Sequence, residues 1–195
     1  QVLNSTRVAG DLTALQCTPR GEGAAAAIVV SEDAIRDLGL DRGRAIRVVS
    51  STAGSEPLSR DREPGSIKAA RNVALRTYAE AGITPRELDV VELHDAFSIE
   101  EILYTEAFGL CGPGEGHHFL REGRSAVDGD CAINTSGGLI AQGHPLGPTG
   151  IGQIHEIVRQ LRGENGNRQR KNARIGMAHM IGLGSVAIAH VFRND

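Results

Sequence analysis

Two histidines carry the chemical promise of this chain: His94 in Val91-Glu92-Leu93-His94-Asp95-Ala96-Phe97, and His144 in Gly143-His144-Pro145. Imidazole is the side chain whose ordinary pKa, about 6.5, lets it give or take a proton near neutrality. His144 is the one strongly titratable side chain of Asn134–Gly152, a stretch so rich in glycine that its backbone can approach a ligand closely. Pro145 restricts His144 to an extended conformation, so the imidazole sits on a stiff loop. Such a group suits proton transfer or stabilisation of a carbonyl oxygen as it becomes an oxyanion. His94 falls where an apolar strand ends and a helix begins, the edge at which open α/β sheets bind ligands. Asp95 beside it reads either as an orienter of the imidazole or as a helix-start charge. Tyr104, on the following helix, is a third proton carrier or a packing residue.

The elements that must hold these groups follow from periodicity. Residues 1–20 read as a loop or surface segment, and Gly23–Val30 as a strand buried on both faces because it is continuously apolar. Ser31–Leu38 reads as a short helix, Asp41–Arg44 as a turn and Ala45–Ser51 as a strand. Thr52–Gly65 is the candidate boundary, rich in Ser, Gly and Pro. Ser66–Ala81 has helical spacing and a Gly82 C-cap, and Leu88–Leu93 is a strand. Ser98 with Glu101 predicts a capping box for the next helix. Cys111–Asp130 reads as a long polar connection, and Thr149–Arg162 as an amphipathic helix with Pro148 near its first turn. Arg174–Ile181 and Val186–Phe192 read as strands joined tightly at Gly182-Leu183-Gly184. This order predicts an α/β layered sheet.

Composition removes several function classes. A net charge of −3 with interspersed signs suggests neither a nucleic-acid partner nor a membrane surface. The cluster Arg168, Arg170, Lys171 and Arg174 reads as a solvated loop. Aromatics are 3%, so the core must be built from Ala, Val, Ile and Leu, and 25 glycines suggest many tight turns. Cys17, Cys111 and Cys131 form no C-x-x-C pair, which argues against a disulfide framework and fits a reducing cytoplasm. Cys17 has no histidine or helix start beside it to lower its pKa and reads as structural. His117-His118 lack a second ligand cluster, so no metal site is expected, and His155 reads as a surface residue.

Three segments, Val91–Phe97, Asn134–Gly152 and Ile175–Ser185, together resemble the C-terminal half of the thiolase superfamily, and in particular the thiolases related to sterol carrier protein, the lipid-transfer type. The resemblance runs from Val2 to Phe192. It implies a thiolase-like layered fold, a mixed sheet with helices on both faces, as one half of the usual two-half arrangement. Residues 1–43 would then be the end of the N-terminal half and 44–195 the C-terminal domain. It also implies that the nucleophilic cysteine belongs to a half outside these residues. No cofactor is expected beyond coenzyme A as part of an acyl-CoA substrate, and the intact protein is expected to be a homodimer.

The resemblance implies roles for particular residues. His144 corresponds to the histidine that acts on the nucleophilic cysteine, and His94 to the position that helps build an oxyanion hole. Asn134 and the backbone around Gly137-Gly138, with Gly143 and Gly182, would bind substrate. Thiolases also use an acid/base cysteine, in a C-x-G motif or in H-D-C-F, and here Met180 and Ala96 stand at those places. Neither carries a proton. The expected function is thiolase-family acyltransfer at a CoA thioester. The alternatives are retro-aldol cleavage of a β-hydroxyacyl-CoA, for example a steroid side chain, in a branch paired with a small zinc-ribbon/OB-fold protein, and a noncatalytic acyl-CoA-binding or lipid-binding subunit.

Overall fold

A computed structural model describes residues 1–55, 65–182 and 186–195. The chain opens with a small hairpin, β1 (Arg7–Ala9) and β2 (Leu12–Thr13), and a short helix α1 (Glu32–Asp37) capped by the Ser31 hydroxyl. Then follow β3 (Arg47–Ser55), α2 (Gly65–Ala81), β4 (Val90–Glu92), α3 (Ser98–Ala107), α4 (Gly116–Arg121), β5 (Ala132–Ile133), α5 (Gly138–Gln142), α6 (Thr149–Arg162), β6 (Ile175–Gly182) and β7 (Val186–Arg193). Five strands form one mixed sheet in the order β3-β7-β6-β4-β5, parallel at β5-β4-β6 and antiparallel at β6-β7-β3.

Strand alternation divides the core in two. Val91 and Met177 point into one cluster with Val73 of α2 and Tyr104 of α3, while Val90 and Ala178 point the other way, toward Ile157 and Leu161 of α6. β4 has neighbours on both edges and helices over both faces, which is why it reads as an unbroken apolar run apart from Glu92. Gly176 lets α6 lie close to the sheet, since a Cβ there would stand 2.7 Å from Ile157. The α/β layered arrangement is as expected.

Several local expectations fail. Gly23–Val30 joins no strand and is exposed, Ile28 at 92% and Val29 at 84%. Apolar composition does not place a ladder partner within reach, and the start of this segment is instead pinned against the Gly143–Pro145 turn, with Gly21 and Gly23 against Pro145. The Ser98–Glu101 capping box does not form, because Glu100 takes its place and accepts a hydrogen bond from the Phe97 amide at 3.1 Å. The connection Cys111–Asp130 contains helix α4, which places His117 and His118 side by side with ring centroids 3.9 Å apart. Arg168 and Arg170 are not simply solvated: they donate to Glu156 and to the Val127 carbonyl, bracing neighbouring segments. The boundary stretch Thr52–Gly65 continues β3 as far as Ser55, and its residues 56–64, like 183–185 of the final turn, lie outside the described residues. No helix among the described residues is long and apolar enough to cross a membrane.

Candidate active site

The site forms at the C-terminal edge of β4, where the chain leaves the sheet through Leu93 and His94. Asn134 fixes this exit twice, donating its amide to the Val91 carbonyl and accepting the Leu93 amide on Oδ1, both at 2.8 Å. It does so from a left-handed backbone, φ 47°, which asparagine tolerates better than most residues. Asn134, expected to touch substrate, is first of all a backbone clamp, although its buried Nδ2 has no partner in the structure.

The clamp brings the two histidines together. Nε2 of His94 lies 3.4 Å from Nε2 of His144, the rings meeting edge to face with centroids 5.0 Å apart. The Nδ1 of His144 lies 2.8 Å from Oγ1 of Thr149, in the first turn of α6, and that hydroxyl donates to the Pro145 carbonyl at 2.7 Å. With the hydroxyl hydrogen committed, His144 must be the Nδ1–H tautomer, which leaves a lone pair on Nε2. Burial, then the charge of His94, pull the His144 pKa down, with Glu100 opposing. A lowered pKa keeps His144 available as a base.

Asp95 makes its hydrogen bond to the glycine loop, not to His94. Its Oδ1 accepts the Leu139 amide at 2.7 Å, at the start of α5. So neither anticipated role is its main one: it ties the His-Asp turn to the glycine loop. Burial pushes its carboxyl up to about 6, against the lowering effect of the amides it accepts. Gly138 is required at this contact. Its φ is +64° and a Cβ there would run into the Asp95 carboxylate. Gly137 and Gly143, with φ of 102° and 85°, shape the two ends of α5.

Tyr104 is fully buried, stacked on Phe108 and against His179. Its hydroxyl reaches Glu100 at 3.5 Å rather than either histidine of the pair, and burial, then the Glu100 charge, raise its pKa, which makes it a poor proton carrier. Gly182 closes β6 opposite Val186, and the bonds that assemble the histidine pair do not include it.

Sequence reasoning missed four contributors. Glu100 approaches Nδ1 of His94 at 3.6 Å, and its place at the third residue of α3 was the available signal. Thr149 was visible only as a helix start. Glu92 is a lone carboxyl in an apolar strand, accepting from the amide of Ser136 at 3.1 Å and its hydroxyl at 2.5 Å, and pushed up to about 7, chiefly by burial. It floors a cavity of about 250 Å³ behind the His144 loop, lined also by Ser136, Gly143, Thr149 and Gln153. Fourth, the segment Cys17–Gly21 straps both loops. Thr18 donates its amide to the Ala96 carbonyl at 2.8 Å and its hydroxyl to the Leu139 carbonyl at 2.6 Å, and the Pro19 carbonyl accepts the His144 amide at 3.1 Å.

No thiol replaces the acid/base cysteine at the expected places, since Ala96 is buried at one and Met180 packs near Gly150 of α6 at the other. Cys17 bridges to Phe97 through the backbone, and its Sγ points to the Thr13 carbonyl at 3.5 Å. Cys131 is buried in the core, its thiol pushed up to about 12 by burial. No group of three or more His, Cys, Asp and Glu among the described residues could hold a metal ion.

Known proteins resemble this chain over nearly all its length. An acetyl-CoA acetyltransferase of Methanothermobacter thermautotrophicus is 44% identical over 193 residues, covering 98% of this chain and 50% of that protein. Sterol carrier protein 2 of Rattus norvegicus is 40% identical over 198 residues, covering 99% of this chain and 36% of its own length. The chain thus spans half or less of these relatives. Among solved structures, an Ltp2-ChsH2(DUF35) aldolase superposes with a TM-score of 0.80 over 98% of this chain and 50% of its own. Human mitochondrial 3-ketoacyl-CoA thiolase gives 0.61 over 84% and 33%. At 21% identity, both establish the fold alone. The family model described as thiolase C-terminal domain-like matches residues 50–194, and the chain belongs to that family.

Proposed function

We propose that the intact protein makes or breaks a carbon–carbon bond next to a CoA thioester, as a lipid-transfer-type thiolase acting on an acyl-CoA. The observation that carries this reading is the facing pair of Nε2 atoms, His94 and His144, on two loops locked to one sheet edge. His144, with the Nε2 lone pair of its Thr149-fixed ring on the side that faces His94, acts as the base. His94 donates to the carbonyl oxygen that becomes an oxyanion. Asn134 Nδ2 and the backbone at Gly137, Gly138 and Gly143 border the bound acyl group. The acyl-carrying cysteine comes from the N-terminal half, of which residues 1–43 are the end, and the protein works as a homodimer.

The second reading is retro-aldol cleavage, favoured by Ala96 and Met180, which supply no acid/base thiol. There, the pair takes the proton of a β-hydroxyl, the Cα–Cβ bond breaks, and the thioester enolate is stabilised and then protonated. No acyl-cysteine is needed, and a small zinc-ribbon/OB-fold protein is the expected partner.

Mass spectrometry of products from the complete protein separates these. Two shorter acyl-CoAs from a 3-ketoacyl-CoA plus free CoA support the thiolase. A ketone plus a shorter acyl-CoA from a branched β-hydroxyacyl-CoA alone supports the aldolase. No product from either leaves an acyl-CoA-binding subunit as the function.

A further inference from the structure

We propose that Glu100 is a positioning residue for the histidine pair, holding the hydrogen of His94 on Nδ1 so that one proton is shared between the two facing Nε2 atoms. As a role in catalysis this rests on the function proposed above; as a statement about hydrogen placement it stands alone.

The geometry begins with the helix start. Glu100 Oε2 accepts the Phe97 amide at 3.1 Å, so its carboxylate is held by the first turn of α3 rather than free to turn into solvent. From that position Oε2 lies 3.6 Å from Nδ1 of His94, with the two side chains 18% and 8% exposed. Nδ1 of His94 is buried and has no closer partner. A carboxylate is an acceptor only, so the nitrogen that faces it is best served by carrying hydrogen. At the other ring, Thr149 sets the same preference on His144 from its own side.

Two imidazoles with hydrogen on Nδ1 present two lone pairs to each other across 3.4 Å. That arrangement is repulsive as it stands and is relieved by a single proton between them. Three further groups face the pair, and Asp95 and His179 both feel the charge of His94. Asp95 is engaged by the Leu139 amide, and Tyr104 reaches the other oxygen of Glu100 at 3.5 Å. On β6, His179 is fully buried with neither ring nitrogen partnered, and burial followed by the charge of His94 pulls it down to about 3, so it stays neutral.

The proton accounting closes over a retro-aldol cycle. Before each turnover the pair gives its shared proton to solvent; it then takes one from the substrate hydroxyl, breaking an O–H and forming an N–H as the Cα–Cβ bond breaks to leave a carbonyl and the thioester enolate. It returns that proton to the enolate carbon, breaking the N–H and forming a C–H, and regains its resting proton from solvent once the products leave.

The test is imidazole ¹⁵N NMR on the intact protein, wild type and Glu100→Gln, with turnover measured in parallel. Gln keeps an oxygen for the Phe97 amide but removes the charge. In the wild type both rings should carry hydrogen on Nδ1. In Glu100→Gln the hydrogen of His94 should move to Nε2, with kcat falling about a hundredfold, and Glu100→Asp should recover part of both. A wild-type His94 protonated at Nε2 alone overturns the proposal even if the variants fail to fold. An unchanged nitrogen pattern and rate in Glu100→Gln does the same. If the wild type shows the proposed hydrogens yet turns over neither substrate, the catalytic reading fails and the Glu100 assignment survives.

Discussion

His94 and His144 stand 50 residues apart in the chain, yet their Nε2 atoms are 3.4 Å apart. Contact at that range makes proton transfer between the rings, or from both to one substrate atom, geometrically immediate. His144→Ala in the complete protein is expected to lower turnover about a thousandfold while leaving the unfolding midpoint nearly unchanged, because the side chain is only partly buried. Steady-state kinetics beside a denaturant titration checks this, and wild-type rates would remove His144 from the chemistry.

Thr149→Val takes away the oxygen that fixes the His144 tautomer. The ring is then free to carry hydrogen on Nε2, the atom that must be open. A loss of roughly a hundredfold in kcat, with little change in KM, is expected. A change confined to KM would mean that the threonine binds substrate instead.

Gly138→Ala forces a Cβ into the Asp95 carboxylate at a backbone angle, φ +64°, that alanine disfavours. A stability loss of about 1–3 kcal/mol is expected, together with lost activity as the glycine loop shifts. Equilibrium unfolding decides, and a variant as stable as the wild type would show that the loop relaxes freely.

Glu92 gives the protein a pH signature. Its folded value of about 7 lies above the ordinary 4.5, so the native state holds this proton more tightly than the unfolded chain. The contribution is fully present below 4.5 and is lost as pH climbs to about 7, amounting to roughly 3 kcal/mol. Asp95 works in the same direction between 3.8 and about 6. Glu92→Gln should therefore flatten the stability profile between pH 5 and 7, measured by denaturation midpoints at successive pH values, whereas an unchanged slope would place the titration elsewhere.

Periodicity made the long elements legible. Helix α6 covers Thr149–Arg162 as anticipated, and β6 and β7 fall within one residue of their expected bounds. The short helix α1 was legible through its Ser31 cap, whereas α4 and α5 were not, because neither has a side-chain cap at its start and both lie in glycine-rich sequence. Helix α5 is held at its start by Asp95, a residue 44 positions away, and glycine content alone reads as loop there. The two histidines announced themselves through their neighbours in sequence. Glu100 and Thr149 did not, because their importance comes from which atom they face. The exposed run Ile28–Val30 shows the converse limit, since apolar residues alone do not reveal what covers them.

The strap at Cys17–Gly21 carries a last consequence. Thr18 and Pro19 hold the Ala96, Leu139 and His144 backbones from a segment upstream of residue 44. The spacing of the histidines thus depends on hydrogen bonds from a segment that precedes both of them in the chain. Displacing Thr18 and Pro19 would therefore release both reactive loops together rather than one at a time.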